Sequence, residues 1–382
     1  MRYLGKDEIF GYFDDMVDQI TFWSLLSFGT FYAVLHAALA FGATRLFRPN
    51  QNTTPLPISV IIAARNEEKN ILRVLRSLMD QNYPKDRFEV IVVNDRSTDS
   101  TASTVETFRR SFPSVRLITI ETNTGDMPHK KNALRTGIAE STFGILAFID
   151  ADCIAGKEWL NSISAEFTDE VGAVAGYSPY GDENSSSFLR YEENKNSLYA
   201  ASAVGLGQAY MCTGRNFSYR KSLFTEVGGF EKIKQSISGD DDLFIQVVQR
   251  ETKWKIRYMT TPASSVRTLP PASFRQFVRQ RTRHVSASSY YPNAIKAGYG
   301  TIHFFHVLIF IALFISPLNG LLALMLKFNI DGAFIAKGKR IFGEEFSLPE
   351  FVADEILLVL YSFLIAPLGF ISSFDWKGSS KS

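Results

Sequence analysis

Two carboxylates one residue apart, Asp150-Ala151-Asp152, close the apolar run Gly144-Ile145-Leu146-Ala147-Phe148-Ile149. A strand that buries its Ile and Phe and then ends in paired acids sets hard oxygen ligands at the carboxyl edge of a sheet. Open α/β folds bind ligands at that edge, and Mg²⁺ or Mn²⁺ can bridge carboxylates to phosphates there. The pair reads as a metal-diphosphate site. Two further strand ends carry polar groups, Arg65-Asn66-Glu67 and Asn94-Asp95-Arg96-Ser97. In a parallel sheet all three ends converge, so Asp95 can accept from a base N–H, Glu67 can assist and Asp152 can hold the metal. Asp95 alone would serve equally well as a cap or turn residue; the spacing of the three together points to one site. Asp240-Asp241-Asp242 follows downstream, ahead of a helix expected over 243–248. Acids there either complement the helix dipole or include a general base.

The elements that must position these groups alternate. Ile58-Ser59-Val60-Ile61-Ile62-Ala63 is a buried-strand run, and Ile71, Leu72, Val74, Leu75, Leu78 and Met79 then repeat at helical spacing until Asn82-Tyr83-Pro84 stops them. Phe88-Glu89-Val90-Ile91-Val92-Val93 is a second strand, with Ser97-Thr98-Asp99 as caps for the next helix. Arg116-Leu117-Ile118-Thr119-Ile120 and the strand before Asp150 continue the pattern. Such alternation specifies an α/β nucleotide-binding half.

With 46% hydrophobic and 21% charged residues in 382, the chain is too apolar for general disorder and long enough for one large domain plus extra segments. Residues 20–47 hold no acid and are long enough to span a bilayer, while the acids of 1–19 (Asp7, Glu8, Asp14, Asp15, Asp18) argue against a signal peptide. Hydrophobic segments also cover 301–326, interrupted at Pro317-Leu318-Asn319-Gly320, and 351–374. Three spans around a 57–299 catalytic domain are expected, with 327–350 as a loop. Lys337, Lys339 and Arg340 keep a four-segment alternative open, because three spans would put that basic group outside.

The net charge of +2 conceals an uneven distribution. After Glu251 the next acid is Asp331, and the intervening stretch is strongly basic. A basic stretch bordering apolar segments belongs on the cytoplasmic face, against anionic membrane lipids. Nucleic acid is not expected as a partner, since no zinc-finger or RNA-binding motif accompanies these charges. Cys153 and Cys212 support no disulfide framework, and Cys153 reads as a small buried hydrophobe. A reduced domain facing the cytosol at an inner membrane follows.

Ile58 to Asp99, Lys130-Lys131-Asn132-Ala133-Leu134, Asp150-Ala151-Asp152, Ser238-Gly239-Asp240-Asp241-Asp242-Leu243 and Gln280-Arg281-Thr282-Arg283-His284 together resemble the family 2 glycosyltransferases with an A-type fold. The ordered set covers roughly the central two thirds of the chain. The resemblance implies a mixed, mostly parallel sheet, a nucleotide-diphosphate sugar donor with a uridine-linked one expected, a divalent metal (Mg²⁺ or Mn²⁺), and inversion at the anomeric carbon. Ala63, Asn66 and Glu67 match the family's first nucleotide-contacting turn, Asp95 the acid that reads the base, and Lys130 a lysine near the donor. Asp150 and Asp152 match the metal pair. Asp240 matches the base, although the usual preceding Glu is Gly239 here, which leaves room for Asp241 in that role.

Gln280, Arg283 and His284 share one helix face. In the family this segment reads Gln-x-x-Arg-Trp, with the arginine near the diphosphate and the Trp by the acceptor. His284 in place of that Trp removes stacking surface, so short products are expected. Phe274, Phe277, Val278 and Val285 give the same helix an interfacial stripe. Met211-Cys212-Thr213-Gly214-Arg215-Asn216 resembles the acceptor-side segment, with Gly214 and Asp242 as acceptor-side candidates. The flanking apolar segments point to a lipid-linked or saccharide acceptor. A nucleotidyltransferase and an inactive membrane scaffold are the alternatives. The first lacks a Gly-rich phosphate loop at Ala63-Ala64-Arg65-Asn66-Glu67, and the second must explain intact acids at 95, 150, 152 and 240.

Overall fold

Near-continuous apolar runs form strands that are buried on both faces, and parallel sheets require such strands. In the computed structural model, which describes residues 6–47, 54–122, 127–181, 185–364, 375–376 and 379–380, they do so here. After the long helix α1 (Lys6–Thr44) come β1 (Ile58–Ala64), α2 (Ile71–Met79), β2 (Phe88–Asp95), α3 (Thr101–Arg109), β3 (Val115–Ile120), α4 (His129–Ala139), β4 (Ile145–Phe148) and β5 (Ile154–Ala155). The second half adds α5 (Trp159–Glu166), β6 (Val171–Ala175), α6 (Ser187–Gly205), β7 (Phe217–Arg220), α7 (Lys221–Glu226), α8 (Asp242–Glu251), β8 (Lys255–Tyr258) and β9 (Val266–Arg267). Four helices follow: α9 (Phe274–Ala287), α10 (Asn293–Ile315), α11 (Pro317–Phe342) and α12 (Leu348–Leu364).

Seven strands form one sheet in the order β3-β2-β1-β4-β7-β6-β8. It is mixed and mostly parallel, as expected: β7 alone runs against both of its neighbours, β4 and β6. Chain order reverses between β1 and β4, which pair in parallel, and this switch point opens a crevice at the strands' carboxyl ends. One apolar cluster on the sheet includes Val60, Ile62, Val90, Val92, Leu75 and Trp159; another includes Phe148, Phe217, Tyr219 and Phe244. The α2 helix covers the periodic segment read from the sequence. The N-cap position of α3 is Ser100, one residue past the expected caps, and Asp99 Oδ1 accepts from the Thr101 N–H at 3.0 Å.

Among the described residues, three helices are long and apolar enough to cross a membrane: Asp15–Thr44 within α1, α10 and α11. Their boundaries correct those expected. The 301–326 segment is two helices broken at Ser316, because Pro317 has no N–H to continue α10 and instead takes the first position of α11. Most of the expected 327–350 loop is helical as well, and α10 begins at Asn293, inside the range assigned to the catalytic domain. On the N-terminal side α1 starts well before residue 20. The helical part of 351–374 ends at Leu364 among the described residues, and 365–374 lie outside them.

The buried charges of α6, α11 and α12 have partners. Lys327 and Asp331 on α11 pair at 2.7 Å, Lys195 of α6 reaches Asp331 at 3.0 Å and Glu355 of α12 at 2.8 Å, and Lys327 also pairs with Glu355. The Tyr32 hydroxyl of α1 donates to Asp331 at 2.6 Å. At least one fixed partner per charge is what allows such burial. The α6 helix also meets α1 where Gly42 and Gly205 face each other, since a Cβ on either would collide with the backbone of the other helix.

Removing one partner leaves a buried charge uncompensated, at about 3–5 kcal/mol. Lys327→Met is expected to destabilise the protein by that order. Thermal unfolding in detergent should show a clearly lowered Tm; an unchanged Tm would mean that the four charges do not hold α6 to α11 and α12.

Candidate active site

The register that pairs Ala64 with Asn94 and Ile61 with Phe148 ends β1, β2 and β4 side by side. The segments that leave them face a cleft of about 870 Å³, bounded on another side by residues 268–283 and thus by α9. Ala63, Glu67, Asp95, Lys130, Asp150, Asp152, Gln280 and Arg283 all line it. Most of the expected donor and metal residues, drawn from five separate stretches of chain, therefore meet in one place.

Two tight turns shape the end of the cleft nearest Asp95. Asn66 and Arg96, the residues after β1 and β2, have φ of 54° and 52°, a left-handed conformation uncommon outside glycine and found where surrounding structure enforces it. Asn66 is bonded to the facing turn: its Oδ1 accepts from the Thr98 N–H at 2.8 Å and its N–H donates to Ser97 Oγ at 3.0 Å. Its side chain fixes the rim and is not part of the cleft lining. Asp95 is buried, with Arg96 Nε at 2.8 Å from Oδ1 and Arg65 and His129 at 3.8 and 3.9 Å from Oδ2. These neighbours were not anticipated.

Lys130 joins the acid pair to the downstream cluster. Its ammonium lies 3.1 Å from Asp150 Oδ1 and 3.1 Å from Asp240 Oδ2. Burial would lower this amine, but Asp150, Asp240 and Asp241 outweigh it and hold it above the ordinary lysine range. Burial would likewise raise Asp150, yet Lys130, Arg215 and Arg283 bring it below the usual carboxylate value. Asp152 moves the other way, pushed up by burial, Asp150 and Glu67. That excess of negative charge is what a divalent cation would relieve. Among the described residues no group of three His, Cys, Asp or Glu forms a metal cage. Two carboxylates on an open cleft instead suit a cation whose remaining ligands are phosphate oxygens and water.

The three acids at 240–242 have different surroundings. Asp240 shares a narrow recess with Lys130, Asp150 and Gly214. Both Asp241 oxygens accept main-chain N–H groups, from Gly214 at 2.7 Å and Asp242 at 2.8 Å, so Asp241 caps α8. Asp242 accepts from the Cys212 N–H at 3.2 Å and the Tyr291 hydroxyl at 2.7 Å, and it does not line the cleft. Gly239, where the family has Glu, has φ of 84°, and a Cβ there would lie 2.6 Å from Leu243 Cγ. The turn that delivers Asp240 in this chain is built for glycine. Gly214 is less constrained: a Cβ there would come 3.1 Å from Asp241 Oδ2 and 3.4 Å from Asp240 Oδ2. The His284 side chain lies outside the described residues.

Lys131, part of the quoted Lys-Lys-Asn motif but not singled out, anchors the approach to Asp240. Its fully buried ammonium donates to the carbonyls of Ile233, Ser236 and Ser238 at 2.7, 2.6 and 2.9 Å. Burial pulls the amine down to about 8, with Asp240 and Asp241 acting in the opposite direction. Arg215 was also missed as a cleft residue; it belongs to the segment read as acceptor-side. Burial raises the thiols of Cys153 and Cys212, so both are packing residues.

A family model described as Glycosyl transferase family group 2 matches residues 145–369, and one described as Glycosyl transferase family 2 matches residues 59–228. The probable glycosyltransferase YdaM of Bacillus subtilis is 29% identical over 248 residues, 63% of this chain and 57% of that protein. The beta-monoglucosyldiacylglycerol synthase of Synechocystis is 25% identical over 225 residues, 58% of this chain and 46% of that protein. The chain thus spans about half the length of the curated relatives it matches. Among solved structures, the mannosyltransferase PcManGT of Pyrobaculum calidifontis, in complex with GDP-Man and Mn²⁺, superposes with a TM-score of 0.55 at 18% identity, covering 92% of this chain and 99% of that one. That likeness establishes a shared fold.

Lys131→Met would strand three buried carbonyls, at about 1–3 kcal/mol for each group left unsatisfied. Lower stability and faster hydrogen exchange across 233–238 are expected. Unchanged protection of those amides would show that the turn holds itself.

Proposed function

The chain belongs to glycosyl transferase family 2, and from that premise we propose that it is a metal-dependent, inverting enzyme held at a membrane, moving a sugar from a nucleotide-diphosphate donor to a lipid-linked or saccharide acceptor. The observation that carries this reading is the placement of Asp150 and Asp240 on opposite sides of one ammonium, Lys130, at 3.1 Å each. A metal-side acid and a candidate base are thereby held within a single recess.

Mg²⁺ or Mn²⁺, held by Asp150 and Asp152, would offset charge on the departing diphosphate. Glu67 and Asp95 bind the nucleoside end, with Asn66 bracing the turn between them. Gln280, Arg283 and Lys130 donate to phosphate oxygens. Asp240 is the base: it accepts the acceptor's hydroxyl proton on a carboxylate oxygen as that hydroxyl oxygen attacks the anomeric carbon from the side opposite the leaving diphosphate. Asp240 is preferred over Asp241 for this role because each Asp241 oxygen already accepts a main-chain N–H group. Gly214 leaves room beside Asp240 for the acceptor, while Asp242 supports that segment from behind. His284 stays on the acceptor side by resemblance to the family motif.

The membrane setting follows from the three long apolar helices, and a cytosolic active site from the basic stretch that leads into them. A lipid acceptor draws support from the Synechocystis relative, whose name is that of a glycolipid synthase. A uridine-linked donor is favoured, and the solved neighbour's GDP-Man makes guanosine donors the comparison set.

Screening UDP- and GDP-sugars on purified membranes, with mass analysis of lipid products, should reveal a divalent-metal-dependent glycolipid or glycan. No transfer from any donor would defeat the proposal. Asp152→Ala should abolish turnover and metal-dependent donor binding in protein that remains folded and inserted; near-normal activity would remove it from the metal site. Asp240→Asn keeps the shape of the base without its proton affinity. Its turnover should fall by about 10²–10⁴-fold with donor binding retained. Full activity in Asp240→Asn, or equal loss of donor binding, would place the base elsewhere.

A further inference from the structure

Arg215 lines the cleft together with Asp150 and Asp152, and its positive charge acts on both carboxylates. Its guanidinium is held from one edge. Nε donates to Ser178 Oγ at 2.6 Å, and Nη2 lies 3.3 Å from the Ser178 carbonyl and 3.1 Å from Glu193 Oε1. Both members of the Arg215–Glu193 pair are largely withdrawn from water, at 12% side-chain exposure each. An arginine free in solvent samples many rotamers; one clamped on two acceptors presents its remaining edge in a fixed direction.

Direction can be inferred from the neighbours. Asp95 and Glu67 define the nucleoside end, and Gly214, adjacent in sequence, packs against Asp240 and Asp241 at the opposite end. The Arg215 backbone therefore enters the cleft from the Asp240 end, and its side chain lines the cleft with Asp150 and Asp152. A donor laid from Asp95 toward Asp240 brings its distal phosphate to this position, past the phosphate nearest the nucleoside. A planar guanidinium matches a phosphate in charge and fork geometry.

The clamp is itself anchored. Glu193 sits on α6 between Glu192, which pairs with Arg281 of α9, and Lys195, which pairs with Asp331 and Glu355. One short stretch of helix thus sets both Arg215 and the α9 wall that carries Gln280 and Arg283.

We propose that Arg215 binds the distal phosphate of the donor and that Glu193 and Ser178 are positioning residues that hold it there. The inference rests on the nucleotide-sugar reading above. It is tested by calorimetric binding of UDP, UMP, GDP and GMP, each with Mn²⁺, to the full chain in detergent, using whichever base the native protein binds. Arg215→Met should weaken nucleoside diphosphate binding by about 10- to 100-fold, the scale of a charged hydrogen bond, while monophosphate binding changes by no more than about 3-fold. Arg215→Lys, which keeps the charge without the fork, should recover part of the loss. Glu193→Gln should show the same diphosphate-selective weakening at smaller size, and adding it to Arg215→Met should cost nothing further.

Equal losses for mono- and diphosphate, or none, in variants with native-like thermal unfolding would overturn the assignment to the distal phosphate. A native protein that binds no nucleoside diphosphate with Mn²⁺ would overturn the donor reading itself, and this inference with it.

Discussion

Charge withdrawn from water persists only where it meets an opposite partner, and each of the four charged groups at 190, 192, 193 and 195 of α6, all but the more exposed Arg190 largely withdrawn, has one. Arg190 reaches Glu350 at 3.2 Å, Glu192 pairs with Arg281, Glu193 meets Arg215 at 3.1 Å, and Lys195 lies between Asp331 and Glu355. The partners are spread over the fold: the start of α12, the helix α9, the cleft wall, and the facing surfaces of α11 and α12. An unpaired ion in this setting is strongly disfavoured, so the pairings admit little slippage. The α6 helix thereby becomes the common reference for the apolar helices and the cleft.

The sheet supplies the other half of the geometry. Its chain order reverses between β1 and β4, which opens a crevice at their carboxyl ends, and the turns after β1 and β2 are locked together through Asn66, Ser97 and Thr98. Acids accumulate at that rim because the chemistry calls for them, and their mutual repulsion is managed by cations set among them. Lys130 spans Asp150 and Asp240, Arg96 holds Asp95, and Arg215 lines the cleft with Asp150 and Asp152. Burial, with Asp150 and Glu67 beside it, pushes the Asp152 carboxyl above the usual carboxylate range. A preorganised site of this kind needs little rearrangement when a diphosphate leaves.

Much of this was legible in the sequence because its signals are local. Apolar runs ending in polar residues marked β1, β2 and β4, and helical spacing marked α2 over the residues it occupies. The convergence of Glu67, Asp95, Asp150 and Asp152 follows from parallel strands alone. What escaped depends on distant partners. Lys327 and Asp331 resembled the end of an apolar segment, since their mates Lys195 and Glu355 lie elsewhere in the chain; this turned most of α11 into an expected loop. Pro317 was seen as an interruption, but whether it kinks a helix or separates two is decided by packing. Lys131 and Arg215 lay inside quoted motifs, yet only the folded chain shows the carbonyls and the carboxylate that employ them. Gly239 read as a departure from a family pattern, and its positive φ supplies the reason.

The central claim is that Asp150 and Asp152 hold a divalent cation against the donor's diphosphate. The most direct measurement is electron paramagnetic resonance of Mn²⁺ bound to the full chain in detergent, in the presence of UDP or GDP. The account predicts one tightly held Mn²⁺ per chain, with hyperfine coupling to ³¹P. Mn²⁺ bound without phosphorus coupling, or no protein-bound Mn²⁺ at saturating nucleotide, would contradict it.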